Sequence, residues 1–246
     1  MIPYPSTKKP AECRKPVWMD IAAGFPDERD CLAAFIAFES AEVLEGVKPS
    51  SLINLPDRPR RCGRNLYAIW KEHGREIVRG SALEVMVMAD RPGSLLLLIY
   101  DRSSLDRLLS NRRVMEMLRT VGYRCDGNAD LLLTEFSSRF ESGEIPHAIG
   151  IILGYPLKDV AGFLGVGRLQ FTCQGPWRIY GDPQQSLMLA ETHRQCRRLM
   201  ASRLMSGAGP FECLGVYGDA VKRKETFFYP RNENNNQYRK GVVTCV

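Results

Sequence analysis

The chain has 246 residues, of which 44% are hydrophobic and 25% are charged, and these values are typical of a water-soluble globular protein. Its longest apolar runs, 95–100 and 148–153, have the length of strands and exclude a membrane-spanning helix, which needs about 20 apolar residues. The first residues include prolines and lysines without an apolar segment typical of a signal peptide, so we expect a cytoplasmic protein with no membrane partner.

The net charge of +6 arises from local clusters of basic residues. These clusters lie in segments 8–15, 58–64 and 222–240. Lysine and arginine clusters can bind phosphates, so a nucleic-acid partner is one interpretation. A solvated basic surface is the interpretation that we favour for a moderately basic chain.

The eight cysteines are scattered along the chain, and no two of them form a C-x-x-C pair. This spacing favours reduced thiols that act mostly as small buried side chains. It gives no support to a zinc knuckle or to a standard iron–sulfur cluster, because both need clustered ligands.

The first half of the chain shows alternating helical and strand patterns. Apolar residues recur at helical spacing after Asp27, which is a suitable N-cap, and Arg91-Pro92-Gly93 is typical of a tight turn. The predicted elements are an irregular arm over 1–20, a helix over 27–44, a turn at 48–50, a basic loop over 58–64, a helix over 65–74, a hairpin of strands 83–88 and 95–100, and helices over 103–109, 112–121 and 129–140.

The second half predicts a strand over 145–153, a helix over 157–164, a β pair at 171–173 and 177–180, and a helix over 183–205. We therefore expect a mixed α/β (α+β) single domain over 21–206, with a partly antiparallel sheet flanked by helices. Residues 207–246 are predicted to be a basic, partly flexible C-terminal extension.

The segment around Gly154, Tyr155 and Pro156 is the first candidate site, because we expect it to connect a buried strand to a helix. Small ligands often bind where a strand of an α/β sheet leads into a helix, and free amides at the start of a helix favour an anion. Tyr155 would line the rim, and Lys48 or Arg178 would supply positive charge.

Three further residues complete the candidate set, and one of them, His147, would lie at the other end of the predicted strand, about 25 Å from the turn. We include Asp159 and Tyr180 among the ligand-binding residues. His147 is a candidate catalytic residue, because an imidazole can titrate near neutral pH. The alternative is that His147 caps the strand and that the turn serves packing alone.

The long helix predicted over 183–205 carries two other candidate sites. His193 and Cys196 share one face at a spacing suitable for metal ligands, although an apolar stripe on that face favours a role in the core. Arg194, Arg197 and Arg198 are predicted to share one face near the aromatic residues of 177–180, an arrangement that can bind nucleotides or a single strand. The alternative that we favour is a solvated helix face, because no recognised nucleic-acid motif accompanies these residues.

Four short blocks carry a resemblance to a known family. They are LEGVKPSSL at 44–52, LLIY at 97–100 with Gly122-Tyr123, PHAIG at 146–150 followed by LGYP at 153–156 and Asp159-Val160, and GPWRIY at 175–180 with Cys196. Together they resemble the bacterial family called domain of unknown function 3793, which occurs mainly in anaerobes. The resemblance implies a fold unit over roughly residues 30–205 and no particular reaction.

The chain departs from the family pattern at two positions. Ala148 stands where a glutamate commonly follows the histidine, and Ser40 stands where a cysteine commonly precedes the 44–52 block. If the family used a His–Glu pair or that cysteine in chemistry, this chain would lack part of it.

The sequence thus predicts an uncharacterised protein that binds a small anionic ligand around residues 154–156. An interaction module for nucleic acid or protein, built on the basic segments and the tail, is the alternative. A metal or redox protein using His193 and Cys196 is the second alternative. The sequence specifies neither a cofactor nor whether the protein is an enzyme.

Overall fold

The computed structural model describes residues 17–215, and all structural statements below concern this part of the chain. Its helices are α1 (Trp18–Ala22), α2 (Glu28–Glu39), α3 (Ala41–Leu44), α4 (Leu66–Val78), α5 (Arg102–Leu109), α6 (Arg112–Thr120), α7 (Ala129–Glu141), α8 (Ile149–Ile152), α9 (Leu157–Leu164), α10 (Gln184–Met205) and α11 (Pro210–Cys213). Its strands are β1 (Ser50–Pro56), β2 (Glu84–Arg91), β3 (Ser94–Tyr100), β4 (Phe171–Gln174) and β5 (Arg178–Tyr180).

A three-stranded antiparallel sheet in the order β1-β3-β2 forms the centre of the fold. The predicted hairpin is confirmed as β2 and β3. Strand β1 begins at Ser50, the last residue of the segment predicted as a turn, and was not predicted. Its alternation of buried Ile53 and Leu55 with the more exposed Leu52 and Asn54 is a period-two pattern typical of a strand.

Strand β3 is covered on both faces, so its side chains enter two separate cores. Leu95, Leu97 and Ile99 pack into a core formed mainly with α1, α2, α4 and α10. Leu98 and Tyr100 face a second core formed with α5 to α9. Burial of each large apolar side chain contributes about 1.5–3 kcal/mol, which explains why this strand is apolar at successive positions. The expected mixed α/β class, with an antiparallel sheet flanked by helices, is confirmed.

Polar caps fix where several helices begin. The Asp27 carboxylate accepts hydrogen bonds from the amides of Arg29 and Asp30, as predicted. The predicted helix over 27–44 is interrupted at Ser40, where α2 ends and α3 begins. The helix predicted over 65–74 continues to Val78.

The prediction of a strand over 145–153 is wrong. This segment forms turns and the short helix α8, with hydrogen bonds from the amides of Ile149 and Ile151 to the carbonyls of Pro146 and Ala148. Residues 148–153 are buried on all sides, and a short apolar run of this kind fits a buried helix as well as a buried strand. The candidate turn at 154–156 therefore connects two helices, so the argument from a strand-to-helix connection no longer supports it.

Ordered elements lie on both sides of the predicted domain 21–206. Helix α1 begins at Trp18, inside the segment predicted as an irregular arm, and α11 packs against α2. Leu214, inside the predicted extension, is fully buried. Segments 1–16 and 216–246, which hold the rest of the arm and of the basic extension, lie outside the described residues. Among the helices of residues 17–215, none combines the length and apolarity needed to cross a membrane.

Candidate functional site

The turn after α8 lies directly against the segment that leads into β1. Gly154 has a φ of +75°, in the left-handed region that favours glycine. A Cβ atom at this position would lie 3.0 Å from Cβ of Lys48 and 3.0 Å from Cδ of Pro49. Glycine is thus required both for the backbone conformation and for the close approach, which places Tyr155 beside Lys48.

We expect Gly154→Ala to reduce the free energy of unfolding by about 2–4 kcal/mol, since backbone strain adds to a steric clash with Lys48 and Pro49. The matched control is Gly165→Ala, because Gly165 has a similar φ of +71° with open space around an added Cβ. Urea unfolding of both variants separates the two costs. Equal losses in the two variants would show that the contact with Lys48 has no energetic weight.

A cleft of about 310 Å³ opens beside this turn. Side chains from α2, the β1 segment, the turn and α10 meet there. Its lining residues are Glu39, Lys48, Ser51, Leu52, Leu153, Tyr155 and Arg197. The charged side chains and Ser51 make part of the lining polar, and Leu52 and Leu153 make another part apolar.

Two cations of the cleft differ in how they are paired. The Arg197 guanidinium donates hydrogen bonds to Glu42 at 2.8 Å and to Glu39 at 3.1 Å. The nearest carboxylate oxygen to Nζ of Lys48 belongs to Glu42 and is 3.9 Å away, beyond hydrogen-bond distance. Only 11% of the Lys48 side chain is exposed. Within the described chain, this ammonium group therefore has no hydrogen-bond acceptor.

Burial and neighbouring charges shift the protonation of this group of residues. Burial lowers the pKa of Lys48, and the attraction of Glu42 offsets this only in part. Burial alone would raise the pKa of Glu42, but the charges of Lys48 and Arg197 outweigh it and hold that pKa below its ordinary value. Glu42 is therefore ionised at neutral pH although it is only 3% exposed.

A second unpaired polar group lies in the cleft. The Ser51 side chain is 2% exposed, and its hydroxyl has no hydrogen-bond partner among the described residues. Buried polar groups are rarely left unpaired, because the loss of water is not compensated. Ser51 and Lys48 are therefore both available to a ligand atom that accepts hydrogen bonds.

An aromatic wall supports one side of the cleft. The Tyr155 ring stacks on Trp177 with 4.8 Å between the ring centres, and the ring centres of Trp177 and His193 are 5.8 Å apart. Burial, followed by repulsion from Lys48, lowers the pKa of His193 to about 4, so the imidazole is neutral at pH 7. Its Nε2 atom has no hydrogen-bond partner among the described residues.

Cys196 lies in the first core, with 1% of its surface exposed. Burial raises the pKa of its thiol to about 11, so the thiol is protonated at neutral pH. In residues 17–215 no group of three or more His, Cys, Asp or Glu side chains is arranged to hold a metal ion. His193 and Cys196 therefore have no third ligand of these types within this part of the chain.

Asp159 is a buried centre of hydrogen bonds on α9. It is 2% exposed, and its oxygens accept from four groups. The donors are Nζ of Lys158 at 2.7 Å, the amide of Tyr180 at 2.9 Å, Nε1 of Trp177 at 2.8 Å and Oγ of Ser186 at 2.6 Å. Asp159 is thus not placed to contact a ligand in the cleft. Instead it holds Trp177, which supports Tyr155.

The remaining candidates from the sequence lie outside the cleft lining. His147 is exposed and contacts the ring of Phe163 edge-on, and the Arg178 guanidinium lies 5.8 Å from the centre of the same ring. Tyr180 is buried and covers Gly162. Of the predicted site residues, the fold brings together Gly154, Tyr155 and Lys48.

The arginines of α10 are engaged in ion pairs. Arg194 and Arg198 both bind Glu191, and Arg197 binds the carboxylates of the cleft. The neighbouring aromatic residues of 177–180 are buried and are not free to stack on a base. This face therefore gives little support to a nucleic-acid site.

The basic loop at 58–64 is partly used inside the protein. The guanidinium of Arg60 lies 4.5 Å from the ring centre of Phe35, and Arg64 donates to the carbonyl of Pro26. These two arginines therefore stabilise the loop against α2 and its preceding turn. They do not form a shared exposed surface for phosphate binding.

Sequence reasoning missed Glu39, Glu42 and Ser51 as members of the site. The signal for Glu42 was a charged residue within a short apolar helix, a few positions before Lys48. Such a residue is rarely buried unless it is paired. Its partner Arg197 is 155 positions away, so no local pattern could reveal the pair.

The fold and the cleft define an α+β protein with two helical layers on a small antiparallel sheet and a charged cleft at the junction of α2, β1 and α10. The chain belongs to the family described as protein of unknown function (DUF3793), whose model matches residues 36–213. The matched region contains every residue that lines the cleft. No curated protein and no solved structure matches the chain.

Proposed function

We propose that this protein binds a small ligand through an anionic group, a carboxylate or a phosphate, in the cleft beside the 154–156 turn. The observation that carries the proposal is the ammonium group of Lys48, which is largely buried, faces the cleft and has no hydrogen-bond acceptor in the described chain. A buried cation in this state gains most from an anionic partner, because charge-assisted hydrogen bonds are stronger where water is excluded.

Three neighbours support this assignment. The unpaired Ser51 hydroxyl can donate to the same anionic group, and Arg197 adds a second positive charge to the lining. Burial raises the pKa of Tyr155, so its phenol stays protonated and can donate a hydrogen bond at the rim. In this proposal, side chains of the cleft hold the anion. The sequence alone had suggested amides at the start of a helix.

The contacts of the described residues favour this role over an interaction module for nucleic acid or protein. Contacts within the protein already engage Arg60, Arg64 and the arginines of α10. These residues therefore give little support to an interaction module. A cytoplasmic location in an anaerobic bacterium stays a prediction from the sequence and the family resemblance.

Lys48→Met is expected to weaken binding of inorganic phosphate or acetate at least tenfold, because it removes a charge-assisted hydrogen bond without opening the fold. Tyr155→Phe should weaken binding by about three-fold, through loss of one neutral hydrogen bond. Isothermal titration calorimetry on the full chain measures both effects.

The control for Lys48→Met is Lys71→Met, which removes one positive charge from an exposed pair with Asp90. That pair does not line the cleft. If Lys48→Met binds both anions as tightly as the unmodified protein does, the proposed function is wrong.

A further inference from the structure

The charges around the cleft are balanced. Lys48 and Arg197 are positive, and the carboxylates of Glu39 and Glu42 contact or closely approach them. A simple anion such as phosphate would add uncompensated negative charge to this neutral group. A ligand that carries one positive and one negative group would leave the balance unchanged.

Glu39 is the carboxylate placed to receive a positive group. Its side chain lines the cleft and is 28% exposed, whereas that of Glu42 is only 4% exposed. Its Oε2 atom accepts one hydrogen bond from Arg197 at 3.1 Å. The hydrogen bond from Arg197 goes to Oε2, which leaves Oε1 to accept from a ligand.

Lys48 and Ser51 supply the hydrogen-bond donors that a negative group of the ligand requires. The Lys48 ammonium and the buried Ser51 hydroxyl are donors without acceptors in the described chain. The same cleft therefore offers unused donors and an unused carboxylate oxygen. Leu52 and Leu153 supply an apolar surface beside them, and a volume of about 310 Å³ is at the lower end of the range for small-molecule sites.

Resting on the proposed function, we infer that the ligand is a free amino acid, a small zwitterion whose carboxylate binds Lys48 and Ser51 and whose ammonium group binds Glu39. Its side chain lies against Leu52 and Leu153. Glu42 does not contact the ligand; it holds Lys48 and Arg197 in place.

The test is calorimetry on the full chain with each of the standard L-amino acids. The tightest binder is then compared with its deaminated acid and its decarboxylated amine, which lack one charged group each. We expect the amino acid to bind at least about tenfold more tightly than either analogue, because each analogue leaves one charged group of the cleft unpaired.

Glu39→Gln tests the assigned contact. It should weaken binding of the amino acid about tenfold and change binding of the deaminated acid by less than about twofold. Glu45→Gln is the matched control, since Glu45 also binds an arginine of α10, Arg203 at 2.6 Å, but does not line the cleft. A thermal melt of each variant checks that the fold is retained.

The outcomes separate the two proposals. If the deaminated acid or phosphate binds as tightly as every amino acid, or if Glu39→Gln leaves the preference unchanged, the zwitterion inference is overturned and the proposed function stands. If no carboxylate, phosphate or amino acid binds, or if Lys48→Met has no effect, both are overturned.

Discussion

Asp159→Asn is expected to lower the free energy of unfolding by about 3–5 kcal/mol, the range for a buried ionic group that loses its charge. The carboxylate accepts hydrogen bonds from Lys158, Trp177, Tyr180 and Ser186. An asparagine would present an NH₂ group to two of these donors, so at least one hydrogen bond is lost even if the Ser186 hydroxyl turns to accept from it. Chemical denaturation at pH 7 measures the effect.

The same carboxylate gives a pH dependence of defined sign. Burial acts to raise the pKa of Asp159, but the hydrogen bonds from Lys158, Ser186, Tyr180 and Trp177 together outweigh it and hold the folded pKa below the ordinary value of 3.8. Its contribution is therefore present above pH 3.8 and is lost as the pH falls through the lower folded pKa. The stability gap between the unmodified protein and Asp159→Asn should narrow below about pH 4.

Asp182→Asn provides the control for this substitution. Asp182 is exposed and accepts one hydrogen bond from the amide of Gln184 at the start of α10. We expect a loss below about 1 kcal/mol, as for an exposed cap in which asparagine replaces aspartate. If Asp159→Asn costs no more than this control, Asp159 does not have the structural role described above.

The Asp159 variant also tests the connection between the fold and the cleft. Trp177 donates to Asp159 through its indole and stacks on Tyr155, so release of the indole should loosen one wall of the cleft. Asp159 is a positioning residue in this account. Asp159 was predicted as a ligand-binding residue, but its burial and its four hydrogen bonds give it a structural role.

Local signals in the sequence predicted much of the fold. The helix start at Asp27 followed from its capping residue, and the hairpin followed from the turn at 91–93. The errors lie where local chemistry is ambiguous. The run 148–153 is apolar at every position but Gly150, so its periodicity could not distinguish a buried helix from a strand.

Three of the predicted site residues lie together, although no strand-to-helix connection places them there. Gly154, Tyr155 and Lys48 do meet, but they do so through the close approach of the turn to the β1 segment. The contribution of α10 depends on contacts between residues more than 150 positions apart. Such contacts leave no pattern in a single sequence, which is why Arg197 appeared as a surface cation.

Glu42→Gln is expected to lower stability and raise anion affinity together. The substitution leaves Arg197 and Lys48 without their buried countercharge, which should cost about 2–4 kcal/mol in the free energy of unfolding. The cleft then carries net positive charge, so inorganic phosphate should bind about tenfold more tightly at constant ionic strength. Denaturation and calorimetry on the same samples measure the two effects.

The control is Glu191→Gln, because Glu191 also binds two arginines of α10 but is 40% exposed. Surface pairs contribute little, so we expect a stability loss below about 1 kcal/mol and no change in phosphate binding. If Glu42→Gln weakens phosphate binding as it destabilises the fold, then Glu42 acts by shaping the cleft and not by neutralising it. Lower stability together with tighter phosphate binding is expected only if the buried Glu42 carboxylate limits the affinity of the cleft for simple anions. The same limitation would let the cleft select a zwitterion.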